Sequence, residues 1–314
     1  MLPEFGILNI NKPEGWTSQD VAAKLRKTLG TKRVGHTGTL DPMASGVLPV
    51  CYGRATRIIE YYDADLKTYA CEMQLGVRTD TLDRTGTVLE ERPFQGITEK
   101  EIRSAVSRMS GWVEQIPPKY SALKVNGKRL YEYARQGLDV EIRSRRIYID
   151  RIDTDSIDTG SGLIRFTVRC SKGTYIRTIC DDLGQELGCG AVMTALIRTE
   201  SGVFRLEDAH TPEEVLAMEE GELASLILPM DVTLQHLGRA VLKSMESVPF
   251  FRNGREINRK YLTVTERPVV PVYAAGDSSV RDRYRMYDPQ GQFLGIARYE
   301  TETESFRAEK VIIS

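Results

Sequence analysis

Hydrophobic and polar positions alternate most cleanly between Leu163 and Cys170, where Ile164, Phe166, Val168 and Cys170 point one way and Arg165, Thr167 and Arg169 the other. Successive side chains on a strand face opposite sides, so this pattern predicts a strand with one buried face. From Tyr175 to Leu187 the spacing changes. Ile176, Ile179, Leu183 and Leu187 recur every three or four residues, as along one face of a helix, and Gly188 stands where the helix can stop. Val21, Ala22, Leu25 and Leu29 predict another helix, capped by Thr17 or Ser18 and ended by Gly30. Ile102, Val106 and Met109 predict one behind the capping pair Thr98 and Glu101, and Thr211-Pro212-Glu213-Glu214 opens one more. Ala55 to Tyr62 reads as a helix carrying Arg57, and strands are expected at Ile7–Ile10, Val47–Cys51 and Thr68–Leu75. Beyond Pro229-Met230-Asp231 the chain changes to short strand-like pieces such as Phe293–Ala297, split by Asn-Gly, Gly-Asp and Pro-Gln-Gly turns. Mixed strands and helices without regular βαβ alternation predict an α+β body, followed by a small β-rich domain from about Gln235 to Ser314.

Composition adds constraints. A chain of 314 residues exceeds one average domain, which fits a large body with a smaller appendage. No stretch approaches the roughly 18 apolar residues of a membrane span, so no membrane partner is expected. Met1–Ile10 lacks a basic flank and reads as a strand, not a signal peptide, which places the protein in the cytoplasm. Cys51, Cys71, Cys170, Cys180 and Cys189 are odd in number and form no CxxC pair. That argues against a disulfide framework and against a metal site, and predicts buried free thiols.

Charge changes the picture more. The net charge of −1 hides a local excess: Lys119 to Arg146 carries eight basic residues against three acids, whereas Glu200 to Asp231 carries nine acids against one arginine. Such asymmetry suits one face turned toward a polyanion, although two solvated charge runs would give the same counts. Tyr120, Tyr131 and Tyr133 are interleaved with the basic residues, as on a surface that contacts RNA. Lys119, Lys124, Lys128 and Arg129 are the candidate phosphate contacts within segment 119–146.

The candidate chemistry centres on Gly35-His36-Thr37-Gly38-Thr39-Leu40-Asp41-Pro42-Met43-Ala44-Ser45-Gly46-Val47-Leu48. Glycines and a proline fix an irregular backbone around one acid. Asp41 is then either a turn residue bonding its own backbone or a carboxylate presented to a ligand. A phosphate-binding loop is a weaker option, because the Walker and GxGxxG patterns are both absent.

This segment closely resembles the catalytic loop of the TruB family of tRNA pseudouridine-55 synthases. Asn11-Lys12-Pro13-Glu14-Gly15-Trp16-Thr17-Ser18 is similar to the family's KPxGxTS stretch and Leu66-Lys67-Thr68-Tyr69-Ala70 to its KxY motif. Further similar stretches are Pro117–Lys124, Ser171–Thr178 and Ala195–Thr199, so the resemblance runs from about Ile7 to Gly202 in one order. It implies a pseudouridine synthase fold with a mixed, largely antiparallel sheet over residues 1–234, and a PUA-like RNA-binding domain over 235–314. The likeness in the second part rests on Phe251-Arg252-Asn253-Gly254-Arg255 and Phe293–Ala297, whereas Thr263–Asp282 shows little of the family's pattern.

The resemblance also implies roles. Asp41 takes the nucleophile's place, Tyr69 that of the aromatic stacked on the target base, and Arg177 that of the arginine paired with the catalytic Asp. Tyr175 and Leu196 correspond to residues lining the uracil pocket, and His36 to a side chain that fills the space left by a flipped nucleotide. The implied reaction breaks the N1 to C1′ bond, turns the uracil and joins C5 to C1′. It needs no cofactor. Attack at C1′, addition to C6 and removal of a sugar proton all require an ionised carboxylate, which a guanidinium within about 4 to 6 Å favours. The implied partner is the T-arm stem-loop of tRNA, with no obligate protein partner and a monomeric enzyme. Two other classes compete: an RNA-folding chaperone using the same basic face, and a glycoside or nucleoside hydrolase. The hydrolase would want a second carboxylate, and none accompanies Asp41 in its motif.

Overall fold

The strand expected at Leu163–Cys170 forms over those residues, with Ile164, Phe166, Val168 and Cys170 all buried. The computed structural model describes residues 1–64, 66–271, 273 and 281–312. Within them the strand lies near the middle of a nine-stranded sheet. Its order is Gly6–Lys12, Ser45–Tyr52, Ala191–Ser201, Lys67–Leu75, Leu163–Cys170, Arg145–Asp158 and Gly111–Gln115. Val34–His36 attaches to Ser45–Tyr52, and Phe204–Arg205 to Ala191–Ser201. All pairings are antiparallel except Ser45–Tyr52 with Ala191–Ser201, which touch only at Ser45 and Gly46.

Helices cover one face of this sheet. Ser18–Leu25, Glu99–Arg108 and Ile176–Glu186 direct Val21, Ile102, Val106, Ile176, Ile179 and Leu183 into a core shared with Tyr69, Met73, Phe166 and Val168. Thr17, Thr98 and Thr211 each close a reciprocal capping box, with Asp20, Glu101 and Glu214 respectively. Each box satisfies two backbone N–H groups that a helix start leaves open. The five cysteines are free and buried.

The helix expected at Ala55–Tyr62 is instead a 3-10 run over Gly53–Ala64. Ala55, Ile58 and Tyr61 recur every three residues and are all buried, a spacing that matches three residues per turn better than 3.6. This run carries the second sheet. Ala55, Ile58, Tyr61 and Tyr62 share a core with Leu237, Ile296 and Ile312, and Arg57 Nη1 donates to Val311 O at 2.7 Å.

That second sheet has six strands, ordered Ile257–Asn258, Ser305–Val311, Phe293–Glu300, Arg283–Tyr287, Gly238–Leu242 and Leu262–Glu266. Its own core holds Leu242, Phe251, Met286, Leu294 and Phe306. The Gly276-Asp277 turn, like much of the unpatterned stretch Thr263–Asp282, lies outside the described residues. Among the described residues no helix is long and apolar enough to cross a membrane.

Candidate active site

Loop 37–44 joins Val34–His36 to Ser45–Tyr52 and carries Asp41. Its shape is imposed from two sides. On one side, Ser18 Oγ accepts from Leu40 N at 2.8 Å and meets Leu40 O at 3.2 Å, and Gly15 N donates to Pro42 O at 2.7 Å. Lys12, fully buried, donates from Nζ to Trp16 O at 2.6 Å, Pro13 O at 2.9 Å and Pro42 O at 3.4 Å. Burial lowers its ammonium to about 8, against the opposing pull of Asp41. The stretch from Asn11 to Ser18 is thus the bracket that holds the Asp41 loop.

On the other side stands Arg198, also fully buried. Its Nε donates to Val47 O at 2.6 Å and Nη2 to Gly38 O at 3.2 Å, and it is the cross-strand partner of Tyr69, whose hydroxyl it meets. Gly46 allows this approach: its φ is +103°, and a Cβ there would lie 2.3 Å from Arg198 O. Lys12, Ser18 and Arg198 lie within the motif stretches, yet the sequence assigned Lys12 and Arg198 no role and Ser18 only that of a candidate helix cap, which Thr17 fills.

A cavity of about 300 Å³ opens over the loop, lined by Asp41, Tyr69, Tyr175, Arg177, Leu196 and Arg198 among others. Five residues singled out in the sequence, separated by up to 155 positions, therefore meet at one place. Gln115, buried, fixes Tyr175 by accepting from its N–H at 2.8 Å and donating to its carbonyl at 3.1 Å. Tyr175 in turn caps the helix that places Arg177 in its first turn.

Arg177 is 5% exposed and binds four acceptors. Nη2 pairs with Asp41 Oδ2 at 3.0 Å and donates to Tyr120 O at 2.8 Å; Nη1 faces Asp83 Oδ2 at 3.5 Å and donates to Thr81 O at 3.3 Å. Burial raises the Asp41 carboxyl above its usual 3.8; Arg177 opposes this, Asp83 adds to it and Lys12 opposes it. Sequence reasoning missed Asp83. It is buried, and Thr81 Oγ1 at 2.9 Å, Thr85 N at 3.0 Å and Thr85 Oγ1 at 2.6 Å all donate to its Oδ1. A carboxylate with so many local donors is signalled by the Asp80–Gly86 run of Thr and Asp, but its meeting with Arg177 is not. Asp83 does not line the cavity, so the second acid presents itself to Arg177 and not to a ligand.

The remaining candidates lie around this centre. His36 is half-buried at the end of its strand and outside the cavity lining; burial, and then Arg198, lower its imidazole below 6.5, and among the described residues its Nδ1 has no hydrogen-bond partner. Lys124, Lys128 and Arg129 stand exposed on a small hairpin, Lys124–Val125 with Lys128–Arg129, turned by Asn126 and Gly127 at φ of 50° and 84°. Ala122 and Leu123 beside it line the cavity. Lys119 differs, being paired with Asp139 at 2.6 Å. Among the described residues no cluster of three or more His, Cys, Asp or Glu could hold a metal ion.

Comparison with known proteins sets this geometry in a family. The model of the TruB family pseudouridylate synthase N-terminal domain matches residues 26–176, and that of the tRNA pseudouridylate synthase B C-terminal domain matches 177–235. A tRNA pseudouridine synthase B from Clostridium perfringens (strain 13 / Type A) is 40% identical over 310 residues, covering 98% of this chain and 99% of that protein. The chain belongs to the TruB family of pseudouridylate synthases. Another relative of the same description, from Alkaliphilus oremlandii (strain OhILAs), is 48% identical over 260 residues, 83% of this chain and 85% of its own. The crystal structure of a Cbf5-Nop10-Gar1 complex superposes with a TM-score of 0.75 at 25% identity, covering 99% of this chain and 85% of the other. The TruB-family chain therefore has the pseudouridine synthase fold, α+β with a mostly antiparallel sheet and a β-rich C-terminal part. The two family models meet between Ile176 and Arg177, so Asp41 and its guanidinium partner come from different matched pieces. The six-stranded sheet, from Gly238 onward, lies beyond both.

Proposed function

We propose that this chain converts the uridine at position 55 in the T-loop of tRNA to pseudouridine, with Asp41 as the nucleophile. One observation carries this: a partly open carboxylate paired at 3.0 Å with a buried guanidinium at the floor of a cavity of about 300 Å³. A cavity of that size admits a pyrimidine extruded from an RNA loop. Tyr69 stacks on the base, at about 1 to 3 kcal/mol, and offsets part of the cost of unstacking it. Leu196 and Tyr175 close the pocket around the ring. Arg177 holds the carboxylate ionised and aimed, because its guanidinium is itself fixed by Asp83 and two carbonyls.

Asp41 forms a transient bond to the nucleoside, the N1 to C1′ bond breaks, the uracil turns in place, C5 joins C1′, and the bond to Asp41 breaks, with C5 losing its proton and N1 gaining one. Nothing is oxidised and no group is donated, so the chain's own residues suffice without a cofactor. Residues 1–234 form the catalytic domain, with segment 119–146 on RNA. Lys124, Lys128 and Arg129 contact phosphates, Lys119 joins them on exchanging Asp139 for phosphate, and His36 enters the loop vacated by the base. Residues 235–314 form a PUA-like RNA-binding domain. The enzyme acts as a cytoplasmic monomer without an obligate protein partner.

A T-arm stem-loop carrying C5-tritiated uridine tests the proposal, since the new carbon bond must release the label. Release by the wild-type chain, and loss of release with retained binding in Asp41→Asn, are expected. Absence of release with folded RNA and protein refutes it, and free uracil as product would mark a hydrolase.

A further inference from the structure

Arg145 opens the strand Arg145–Asp158 and is paired in register with Gln115, the residue that fixes the Tyr175 backbone. Its guanidinium lies 5.5 Å from the centre of the Tyr175 ring, which also has Arg177 at 6.0 Å. The side chain closes over the turn at Gly173 too. A Cβ on Gly173 would meet Arg145 Nη1 at 3.0 Å, and the φ of +80° there already favours glycine.

Among the described residues, what Arg145 lacks is an acceptor. Its neighbour Arg146 packs over Trp112 at 4.4 Å, and Arg151, Arg165 and Arg169 all face carboxylates. Arg145 is half-buried, and among the described residues it makes no ion pair and donates no hydrogen bond. A guanidinium offers five N–H donors in a planar fork that suits phosphate oxygens. Here the fork is held against an aromatic that lines the cavity, beside Lys172 and Gly173 of the same lining.

We infer that Arg145 binds a backbone phosphate of the nucleotide whose base occupies the cavity; this rests on the RNA-isomerase reading above. A base lying against Asp41 and Leu196 carries its sugar and flanking phosphates out past Gly173 and Tyr175 of the lining, the two residues against which Arg145 lies. The need is specific to this chemistry. Once the glycosidic bond is broken, base and sugar are held separately: apart from the bond Asp41 makes, the ring rests on Tyr69, Tyr175 and Leu196 and the sugar on its flanking phosphates. A fixed cation at the mouth keeps C1′ over Asp41 while the uracil turns.

The test uses the full chain and T-arm stem-loops with a single uncharged methylphosphonate at the linkage on either side of the target uridine. Arg145→Met, which keeps the stem and removes the charge, should weaken binding roughly tenfold and reduce the slope of log affinity against log salt by about one. One of the two methylphosphonates should weaken wild-type binding by a similar factor and leave Arg145→Met binding unchanged. Arg145→Lys should restore the salt slope but only part of the single-turnover rate, since an ammonium neither stacks on Tyr175 nor forks. Equal methylphosphonate penalties in wild type and Arg145→Met, or an unmoved salt slope, overturn the inference. If Arg145→Met does not fold, wild-type binding that is indifferent to both linkages overturns it equally. Failure of the isomerase reading shows separately, as absence of tritium release from the unmodified stem-loop.

Discussion

Arg177→Met replaces the hub of the site with an uncharged side chain of similar length. The ion pair with Asp41 is 3.0 Å long and the Asp41 side chain is 35% exposed, so solvent screens part of the interaction. Two unit charges about 4 Å apart at an effective dielectric of about 20 interact by roughly 4 kcal/mol. Screening brings the effect into the range of about one to three pKa units usual for a carboxylate that gains or loses an adjacent cation. Burial already raises the Asp41 carboxyl, and Arg177 is the largest influence opposing that rise. Removing it moves the carboxyl further up, and the acid limb of the rate profile should shift upward by about one to three pH units. Stability falls as well, because Asp83 and the Thr81 and Tyr120 carbonyls lose a donor; breaking a buried pair of this kind costs about 3 to 5 kcal/mol.

The pH dependence of that loss has a definite sign. A carboxyl raised in the folded state binds its proton more tightly there than in the unfolded chain, so stability declines as pH rises from the unfolded pKa through the folded one. In the variant this window extends higher, and the deficit should be smallest at acid pH. Single-turnover tritium release from pH 5 to 9, with thermal unfolding over the same range, measures both effects. Arg177→Lys keeps a charge and should hold the acid limb near its wild-type position, with a lower plateau. Superimposable pH–rate profiles for wild type and Arg177→Met would eliminate an electrostatic role for Arg177.

Gly46→Ala should destabilise the fold by about 2 to 4 kcal/mol, seen as a drop of several degrees in Tm, because its Cβ would meet backbone at Arg198 that cannot step aside; an unchanged Tm contradicts this. Tyr69→Ala should weaken stem-loop binding by about 1 to 3 kcal/mol, whereas Tyr69→Phe keeps the ring and should bind within about twofold of wild type; equal losses in both variants would assign the contact to the hydroxyl. Replacing Lys124, Lys128 and Arg129 together by Ala should lower the salt slope of binding by about two to three, and Lys119→Ala, whose charge is engaged by Asp139, by less than one; a larger change from Lys119 alone reverses that ranking.

Periodicity located the strand at Leu163–Cys170 and the helix through Ile176–Glu186 because each buries one continuous face, and the capping box at Thr98 and the N-cap at Thr211 are local enough to be read from four residues. The run at Gly53–Ala64 was misjudged because buried positions three apart serve a 3-10 turn as well as an α-helix over so short a length. Asp41, Tyr69, Arg177, Tyr175 and Leu196 share the cavity as their motif positions imply. Their supports were not legible. Asp83, which faces Arg177, is also joined by a bridge to Met193, and Arg198, which reaches Gly38, lies where a parallel pairing two residues long joins Ile197 and Arg198 to Ser45 and Gly46. Contacts between segments more than a hundred residues apart are settled by the fold as a whole, not by any local pattern.

Arg177 draws its four acceptors from positions 41, 81, 83 and 120, all earlier in the chain than itself. A nascent polypeptide can therefore have made Asp41, Tyr69 and the hairpin at Lys124–Arg129 while still lacking the guanidinium that pairs with Asp41. The pairing forms only once the helix that begins at Ile176 has been made and docked, as expected for a centre built from contacts of long sequence separation.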